Sequence, residues 1–182
     1  MLFESKTITL KNGRTALLRA PHPEDAAEMA EYMKRTAGET HFLMRTPEEC
    51  TVTAEQEAIY LQNIIDSPDN LMIVCEIDGR IAGNCQITFR NRVKSRHRAS
   101  VAIALLKEFW GLGIGTAMFE EMIAAAYGRG GIMQLELEFI EGNDRARALY
   151  EKMGFRIVAE LPNDTRLPDS TLLSLFFMVK TL

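Results

Sequence analysis

Three glycines at alternate positions form the first pattern in this chain that could support chemistry. Gly111, Gly113 and Gly115 lie in FWGLGIGT, between an apolar stretch of strand character and one of helical character. Glycine has no Cβ atom, so the backbone can turn tightly and a ligand can approach its N–H groups. The N–H groups and the dipole at a helix N-terminus attract anions such as phosphate. The pattern predicts a phosphate-binding turn, and the alternative is a glycine turn that binds no ligand.

Two common nucleotide-binding motifs do not fit these glycines. Counted from Gly113, the third glycine of a dinucleotide fingerprint would fall on Met118. A triphosphate-binding loop needs lysine followed by serine or threonine, where this chain has Thr116 and Ala117. The sequence therefore does not predict a dinucleotide-binding oxidoreductase or a nucleoside triphosphatase.

Two glutamates form a second pattern, on a predicted strand beyond that helix. In LELEF, Glu136 and Glu138 alternate with apolar residues. Successive side chains of a strand point to opposite faces of its sheet, so both carboxyl groups share one face. A carboxylate in that position can act as a general base. The alternative is a pair of solvated acids on an open face.

The apolar periodicity predicts the elements that must position these residues. Asn12-Gly13 and Asp78-Gly79 are hairpin signals, and Thr53 with Gln56 predicts a capped helix. That helix has apolar residues at helical spacing, namely Ile59, Tyr60, Ile64 and Ile65. The glycine turn leads into a helix predicted from about Thr116 to Tyr127. The fold class is therefore mixed α/β (α+β) with one central sheet, antiparallel first and with strand-helix-strand units behind.

Composition and charge limit the classes of function. With 182 residues, of which 47% are hydrophobic, the chain fits a single domain over 1–182. A net charge of -4 makes the whole surface a poor partner for DNA or an anionic membrane. The chain has three cysteines, an odd number that cannot all pair in disulfides within one chain, and their spacing is not that of a metal site. We therefore expect reduced thiols, a cytoplasmic protein and no bound metal.

One stretch departs from this acidic balance. In RNRVKSRHR five basic residues alternate with other residues, namely Arg90, Arg92, Lys94, Arg96 and Arg98. Two interpretations remain open. The stretch is either a solvated hairpin face or a surface that attracts an anion such as a nucleotide phosphate.

Two motifs in series resemble the GCN5-related N-acetyltransferase (GNAT) superfamily. Gly113 and Gly115 occupy the glycine positions of its Gln/Arg-x-x-Gly-x-Gly/Ala turn. Its second pattern, Asn-x-x-Ala-x-x-Leu-Tyr-x-x-x-Gly-Phe, matches Asn143, Ala146, Leu149, Tyr150, Gly154 and Phe155. One position departs, because Trp110 stands where the superfamily has glutamine or arginine. The front of the chain is most similar to bacterial ribosomal-protein alanine and small-molecule N-acetyltransferases.

The resemblance implies a fold, a reaction and a cosubstrate. The fold is a central, splayed, largely antiparallel sheet of about seven strands flanked by about four helices. The reaction is transfer of an acetyl group from acetyl-CoA to a primary amine, without a metal. The implied acetyl-CoA contacts are Leu105, Leu106, Gly111, Leu112, Gly113, Ile114, Gly115, Thr116, Asn143, Ala146 and Tyr150.

The resemblance also implies two catalytic residues. Tyr150 matches the tyrosine often given the role of general acid, and the alternative is that it only packs beside the cofactor. Glu138 lies twelve residues before Tyr150, the offset of the proposed base in ribosomal-protein alanine N-acetyltransferases. It would act through a water molecule. Glu136 and water alone remain alternatives for the base.

The identity of the acceptor stays open at this level. The resemblance frames the acceptor site with the segments Ala37–Thr51 and Leu161–Ser170. A protein N-terminus, a polyamine, an amino acid and an antibiotic amine all fit, and a second copy of the chain is a candidate partner. Two rival functions are a non-catalytic acyl-CoA sensor and a protein acetyltransferase that docks on ribosomal RNA through the basic stretch 90–98.

Overall fold

The structure is a computed structural model that describes residues 2–182, so Met1 of the predicted single domain lies outside the described residues. Its strands are β1 (Lys6–Thr9), β2 (Thr15–Arg19), β3 (Asn70–Ile77), β4 (Arg80–Phe89), β5 (Arg98–Leu105), β6 (Gln134–Ile140), β7 (Arg156–Arg166) and β8 (Leu172–Thr181). Its α-helices are α1 (Ala26–Glu39), α2 (Ala54–Asp66), α3 (Ile114–Arg129) and α4 (Asp144–Lys152).

All eight strands described for residues 2–182 join one sheet in the order β1-β2-β3-β4-β5-β6-β8-β7. Every neighbouring pair is antiparallel except β5 and β6, which are parallel. The mixed α/β fold class is confirmed. The expected number of about seven strands rises to eight because the short β1 pairs with β2 over four residues.

The parallel pair at the centre of the sheet is short. Its register runs only from Arg98 opposite Gln134 to Ser100 opposite Glu136. Both strands continue beyond this point, and each still pairs with its other neighbour. The strands therefore diverge, which confirms the predicted splay and opens a gap in the middle of the sheet.

Local signals in the sequence set the turns and caps at the predicted places. Gly13 has φ +83°, and the Asn12 side chain accepts a hydrogen bond from the N–H of Arg14 at 3.1 Å. The turn between β3 and β4 has both Asp78 and Gly79 at positive φ, as hairpin turns of this length require. At the start of α2, Thr53 and Gln56 form the reciprocal capping box that the sequence predicts.

The helices cover both faces of the sheet. Tyr32 of α1 donates to Asn84, an even-numbered residue of β4. On the opposite face, Gly115 of α3 lies close to Ile103 and Leu105, which are odd-numbered residues of β5. Helix α3 buries three large side chains completely in the main core, namely Met118, Phe119 and Met122. Burial of this apolar face drives the packing of α3 on the sheet.

Three predicted boundaries or faces differ from the structure. Helix α3 begins at Ile114, because Gly113 takes a left-handed conformation with φ +97° and caps the helix. Strand β7 runs to Arg166, so the first part of the expected acceptor segment 161–170 lies in a strand, with an irregularity between Leu161 and Thr165. In α2, Ile59 and Tyr60 of the predicted apolar set are 63% and 43% exposed, whereas Ile64 is buried as predicted and Leu61 completes the buried face.

A glycine on β4 lets the end of β5 approach closely. A Cβ atom at Gly83 would lie 2.8 Å from the carbonyl oxygen of Ala104 and would also collide with the Leu105 side chain. We expect Gly83→Ala to lower the free energy of unfolding by about 1–3 kcal/mol, measured by urea denaturation. Gly128→Ala is the control, because nothing lies within 4 Å of the new methyl group. That change should be neutral or stabilising, so an equal loss in both variants would contradict this interpretation.

Candidate functional site

A cavity of about 900 Å³ passes through the gap between β5 and β6. The end of β5, the glycine turn, α4 and β6 form its walls. The α1–α2 loop covers one side with Phe42, Leu43 and Met44. Most of the residues that the sequence singled out line this cavity, namely Leu105, Gly111, Gly113, Gly115, Thr116, Glu136, Glu138, Asn143, Ala146 and Tyr150.

The glycine turn presents free N–H groups at one end of the cavity. Gly111 and Gly113 have φ +80° and +97°, values that favour glycine at both positions. The N–H of Ala117 donates to Gly113 at 3.1 Å and starts the hydrogen bonding of α3. The preceding N–H groups of residues 114–116 therefore have no acceptor in their own helix. With no acidic residue in the first turn, this end of the cavity favours an anion.

Three cationic side chains surround the glycine turn. The Arg145 guanidinium would lie 3.6 Å from a Cβ atom at Gly111, and the Lys11 side chain 3.8 Å from one at Gly113. The Lys152 ammonium donates to Thr116 at 3.2 Å. None of the three forms an ion pair with an acid of residues 2–182. Their charge is therefore available to a phosphate group at this turn.

The edge of β5 offers main-chain groups to the gap. Leu106 donates its N–H to Ala82 of β4 at 2.9 Å. Because these groups alternate in direction along a strand, those of Val101, Ile103 and Leu105 point away from β4 and towards β6. The Trp110 indole N–H donates a hydrogen bond to the Leu105 carbonyl oxygen at 2.9 Å.

Leu106 differs from its neighbour Leu105. Its N–H is bound to Ala82, its carbonyl accepts from Phe109 at 3.0 Å, and its side chain is buried. The structure therefore brings Leu105 to the cavity, whereas Leu106 has no free main-chain group there. Leu112 and Ile114 are not among the residues that line the cavity.

Helix α4 carries two of the predicted residues at its start. Asn143 caps the helix, because its side-chain oxygen accepts from the N–H of Ala146 at 3.3 Å. Both residues line the cavity. Helix α4 lies close to α3, since a Cβ atom at Gly115 would meet the Leu149 side chain at 2.8 Å. Glycine at that position lets the two helices form one wall of the cavity.

Tyr150 is held by aromatic packing. Its ring centroid lies 5.5 Å from that of Phe119, 6.1 Å from that of Phe139 and 6.5 Å from that of Phe155. The residue is only 8% exposed, and its hydroxyl has no hydrogen-bond partner among residues 2–182. Burial raises the pKa of this hydroxyl to about 12, so it stays protonated at neutral pH.

The two glutamates of β6 have different surroundings. Glu136 forms a two-point ion pair with Arg98 and accepts from Arg90 at 3.2 Å. Burial alone would raise the pKa of Glu136, but hydrogen bonds and charges from Arg98 and Arg90 lower it below its ordinary value. Glu138 is exposed to the cavity and has no ion pair or hydrogen bond from a described side chain. Of these two glutamates, Glu138 alone has a carboxylate without a partner among the side chains of residues 2–182.

Residues 30–155 match the acetyltransferase (GNAT) family, which covers more than half of the chain. The chain belongs to this family. This confirms the resemblance found in the sequence and the prediction of an acetyltransferase.

Solved structures of other proteins share the fold. An acetyltransferase of the GNAT family from Streptococcus pneumoniae is 28% identical, with a TM-score of 0.86, covering 92% of this chain and 99% of that one. A ribosomal-protein-alanine N-acetyltransferase from Brucella melitensis is 23% identical, with a TM-score of 0.77, over 91% and 99%. A phosphinothricin acetyltransferase from Sinorhizobium meliloti, in complex with AcCoA, is 20% identical, with a TM-score of 0.79, over 96% and 89%.

The α1–α2 loop covers the cavity and contacts elements on its far side. The ring of Phe42 comes within 3.7 Å of a Cβ position at Gly142, and the Thr165 hydroxyl contacts the Met44 sulfur at 3.8 Å. The loop therefore bridges from α1 to the β6–α4 turn and to β7. Across residues 2–182, no helix is long and apolar enough to span a membrane. Over the same range, no cluster of histidine, cysteine or acidic side chains could hold a metal ion.

Tyr150 should remain protonated where an ordinary tyrosine ionises. A free tyrosine is half ionised at about pH 10. The ultraviolet difference spectrum between the native enzyme and its Tyr150→Phe variant should therefore show no phenolate band at about pH 10. The same two proteins unfolded in denaturant are the control, and their difference spectrum should contain that band. A phenolate band in the native pair would mean that water or a cation reaches the hydroxyl.

Proposed function

We propose that this enzyme transfers an acetyl group from acetyl-CoA to a primary amine by direct attack in a ternary complex. One observation carries the proposal. A single cavity has an anion-binding turn at its end, a free carboxylate on one wall and a partnerless phenol on another. The thioester of acetyl-CoA supplies the activated acetyl group, and the residues of the chain supply the binding and the proton transfers.

The cavity fits acetyl-CoA in three respects. The N–H groups of residues 114–116, with Lys11, Arg145 and Lys152 around them, match a pyrophosphate. The free main-chain groups of β5 match the amides of a pantetheine arm, which would pair like an added strand. The S. meliloti protein of the same fold was solved with AcCoA, which supports this assignment.

We assign Glu138 as the base, acting through a water molecule. An alkyl ammonium has a pKa of about 10.4, so the acceptor must lose a proton before its nitrogen can attack the acyl carbon. The carboxylate of Glu138 faces the cavity and has no bound cation among the described side chains. Glu136 is the weaker candidate, because Arg98 and Arg90 already occupy its oxygens.

We assign Tyr150 as the acid. As the nitrogen–carbon bond forms and the carbon–sulfur bond breaks, the sulfur leaves with a negative charge and needs a proton. A thiol has a pKa of about 8.5, well below the value of about 12 to which burial raises the pKa of Tyr150. Full transfer from the phenol is therefore uphill, and the hydroxyl first stabilises the sulfur as a hydrogen-bond donor. The nitrogen loses a second proton as the amide forms. Passed to the sulfur through the Tyr150 hydroxyl, this proton gives the CoA thiol and leaves the phenol protonated.

We treat the chain as one N-acetyltransferase domain, because a single sheet runs from β1 to β7 and carries the whole cavity. The acceptor is an amine that reaches Glu138 from beneath the α1–α2 loop. Structures of the same fold include proteins named for ribosomal-protein alanine and for phosphinothricin, so both protein and small-molecule amines are candidates. The rival function is a non-catalytic acyl-CoA sensor, which would bind the cofactor without releasing its thiol.

The assay measures release of free CoA thiol from acetyl-CoA with pools of peptides, polyamines, amino acids and aminoglycosides. We expect Glu138→Gln to lower kcat about a hundredfold near neutral pH while CoA binding persists. The loss should shrink towards about pH 10, where more of the amine is already neutral. Glu136→Gln is the matched control on the same strand and face, and its kcat should fall much less. Equal losses would remove the assignment of Glu138, and no release from any pool would favour the sensor.

The cations around the glycine turn should set the affinity for CoA. We expect Arg145→Gln to weaken CoA binding about tenfold in titration calorimetry, because a charge-assisted contact to phosphate is lost. Arg147→Gln is the control on the same helix, where Arg147 pairs with Glu151 at 2.8 Å and does not line the cavity. That variant should bind CoA as the unmodified enzyme does. Equal weakening in both would show only a general effect of charge.

A further inference from the structure

A second cavity of about 390 Å³ continues the acceptor side of the main cavity. The two cavities share Thr88, Arg90 and Ser100. The second cavity extends away from the gap, between the start of β3 and the basic segment that joins β4 to β5. Together they form one groove that begins at Glu138 and ends at Arg92; we call it the acceptor groove.

Polar side chains on one face of the sheet form the floor of the acceptor groove. Gln86 donates to both Asn70 and Thr88 at 3.1 Å, and Thr88 donates to Asn70 at 2.8 Å. Tyr60 of α2 donates to Gln86 at 3.2 Å. These bonds hold the floor in one arrangement, so a ligand meets a fixed row of polar groups rather than an apolar pocket.

The charge of the acceptor groove changes sign along its length. Near the gap, Glu138 is a free carboxylate. In the middle, Glu136 is shared between Arg98 and Arg90, so these three side chains together carry one net positive charge. At the far end, Asp69 is bound by Arg129, whereas Arg92 has no acidic partner in the described part of the chain. The acceptor groove therefore favours a cation at one end and an anion at the other.

The length of the acceptor groove selects among amines. Ala102 lies opposite Gln86, just beyond the point where β5 and β6 stop pairing. Gln86 and Arg90 are four steps apart along the chain at about 3.3 Å per step, so the groove extends about 13 Å from the gap to Arg90. A free amino acid is much shorter than this. A polyamine has the length, but its second cation would meet the unpaired charge of Arg92.

We propose that the acceptor groove binds the amino terminus of an extended polypeptide. Its ammonium group lies at Glu138, and acidic side chains at about its third to fifth residues lie against Arg92, since an extended chain advances about 3.3–3.6 Å per residue. This inference rests on the proposed function, because it names the acceptor for the same reacting cavity. It also gives Arg92 a role in substrate selection, separate from catalysis.

The test compares two peptides that differ only in charge, Ala-Ala-Asp-Glu-Asp-Gly and Ala-Ala-Asn-Gln-Asn-Gly. The unmodified enzyme should acetylate the acidic peptide with a kcat/KM about fivefold higher, measured by release of CoA thiol. In Arg92→Gln the ratio of the two kcat/KM values should fall to about one. Lys94→Gln is the matched control, because Lys94 is also exposed on the basic segment but lines neither cavity. That variant should keep the preference.

Four results would overturn the inference. Equal loss of the preference in Arg92→Gln and Lys94→Gln would show attraction by the whole basic segment. Turnover of amino acids or aminoglycosides without any peptide would leave the proposed function intact and remove the polypeptide. Salt-dependent binding of ribosomal RNA with no peptide preference would make the basic segment a nucleic-acid surface. Release of thiol that no added amine or peptide increases would remove the proposed function and the inference together.

Discussion

The early end of hydrogen bonding between β5 and β6 is the constraint on which the rest of the structure depends. The strands pair over only three residues each and then separate, although both continue as strands. Main-chain groups that lose a partner inside a protein must find another or remain open to a ligand. The gap leaves groups of Val101, Ile103 and Leu105 in that state, at the place where the cavity crosses the sheet. The empty space and the unpaired edge have one cause.

The gap also explains how the proposed acid and base can meet. Glu138 projects on the face of the sheet that α1 and α2 cover, whereas its neighbour Phe139 projects on the opposite face and packs against Tyr150. In a continuous sheet the two functional groups would be separated by the backbone. Because β5 and β6 diverge, both groups line one cavity. The proposed base and acid, which come from opposite faces, can then reach the attacking nitrogen and the leaving sulfur on one acyl carbon.

Much of this arrangement could be predicted from the sequence, because it depends on local signals. The hairpin at Asp78-Gly79, the capping box at Thr53 and the alternation around Glu138 each involve residues close together in the chain. Sequence reasoning missed Lys11 and Lys152, which reach the glycine turn from distant elements. Arg145 was also missed, because it lies next to Gly111 in space but not in sequence. Its one signal in the sequence is its place close to Asn143 of the second motif.

Long-range pairing also explains the other departures from the predictions. The alternation of residues along β6 predicts that both glutamates lie on one face. The structure adds that Arg98 and Arg90 donate hydrogen bonds to the carboxylate of Glu136. Leu106 looked equivalent to Leu105, and the register of β4 against β5 separates them. The buried face of α2 was assigned partly to Ile59, because its spacing suits a helix. The sheet beneath that helix selects Leu61 instead.

The single tryptophan of the chain has a consequence for the length of a bound ligand. Its indole N–H takes the Leu105 carbonyl, the last main-chain acceptor on the open edge of β5. A ligand that pairs along this edge must therefore stop pairing before that carbonyl and turn towards the glycine turn that begins one residue after Trp110. For a ligand bound in this way, Trp110 would set the distance along the ligand between its phosphate end and its reactive end.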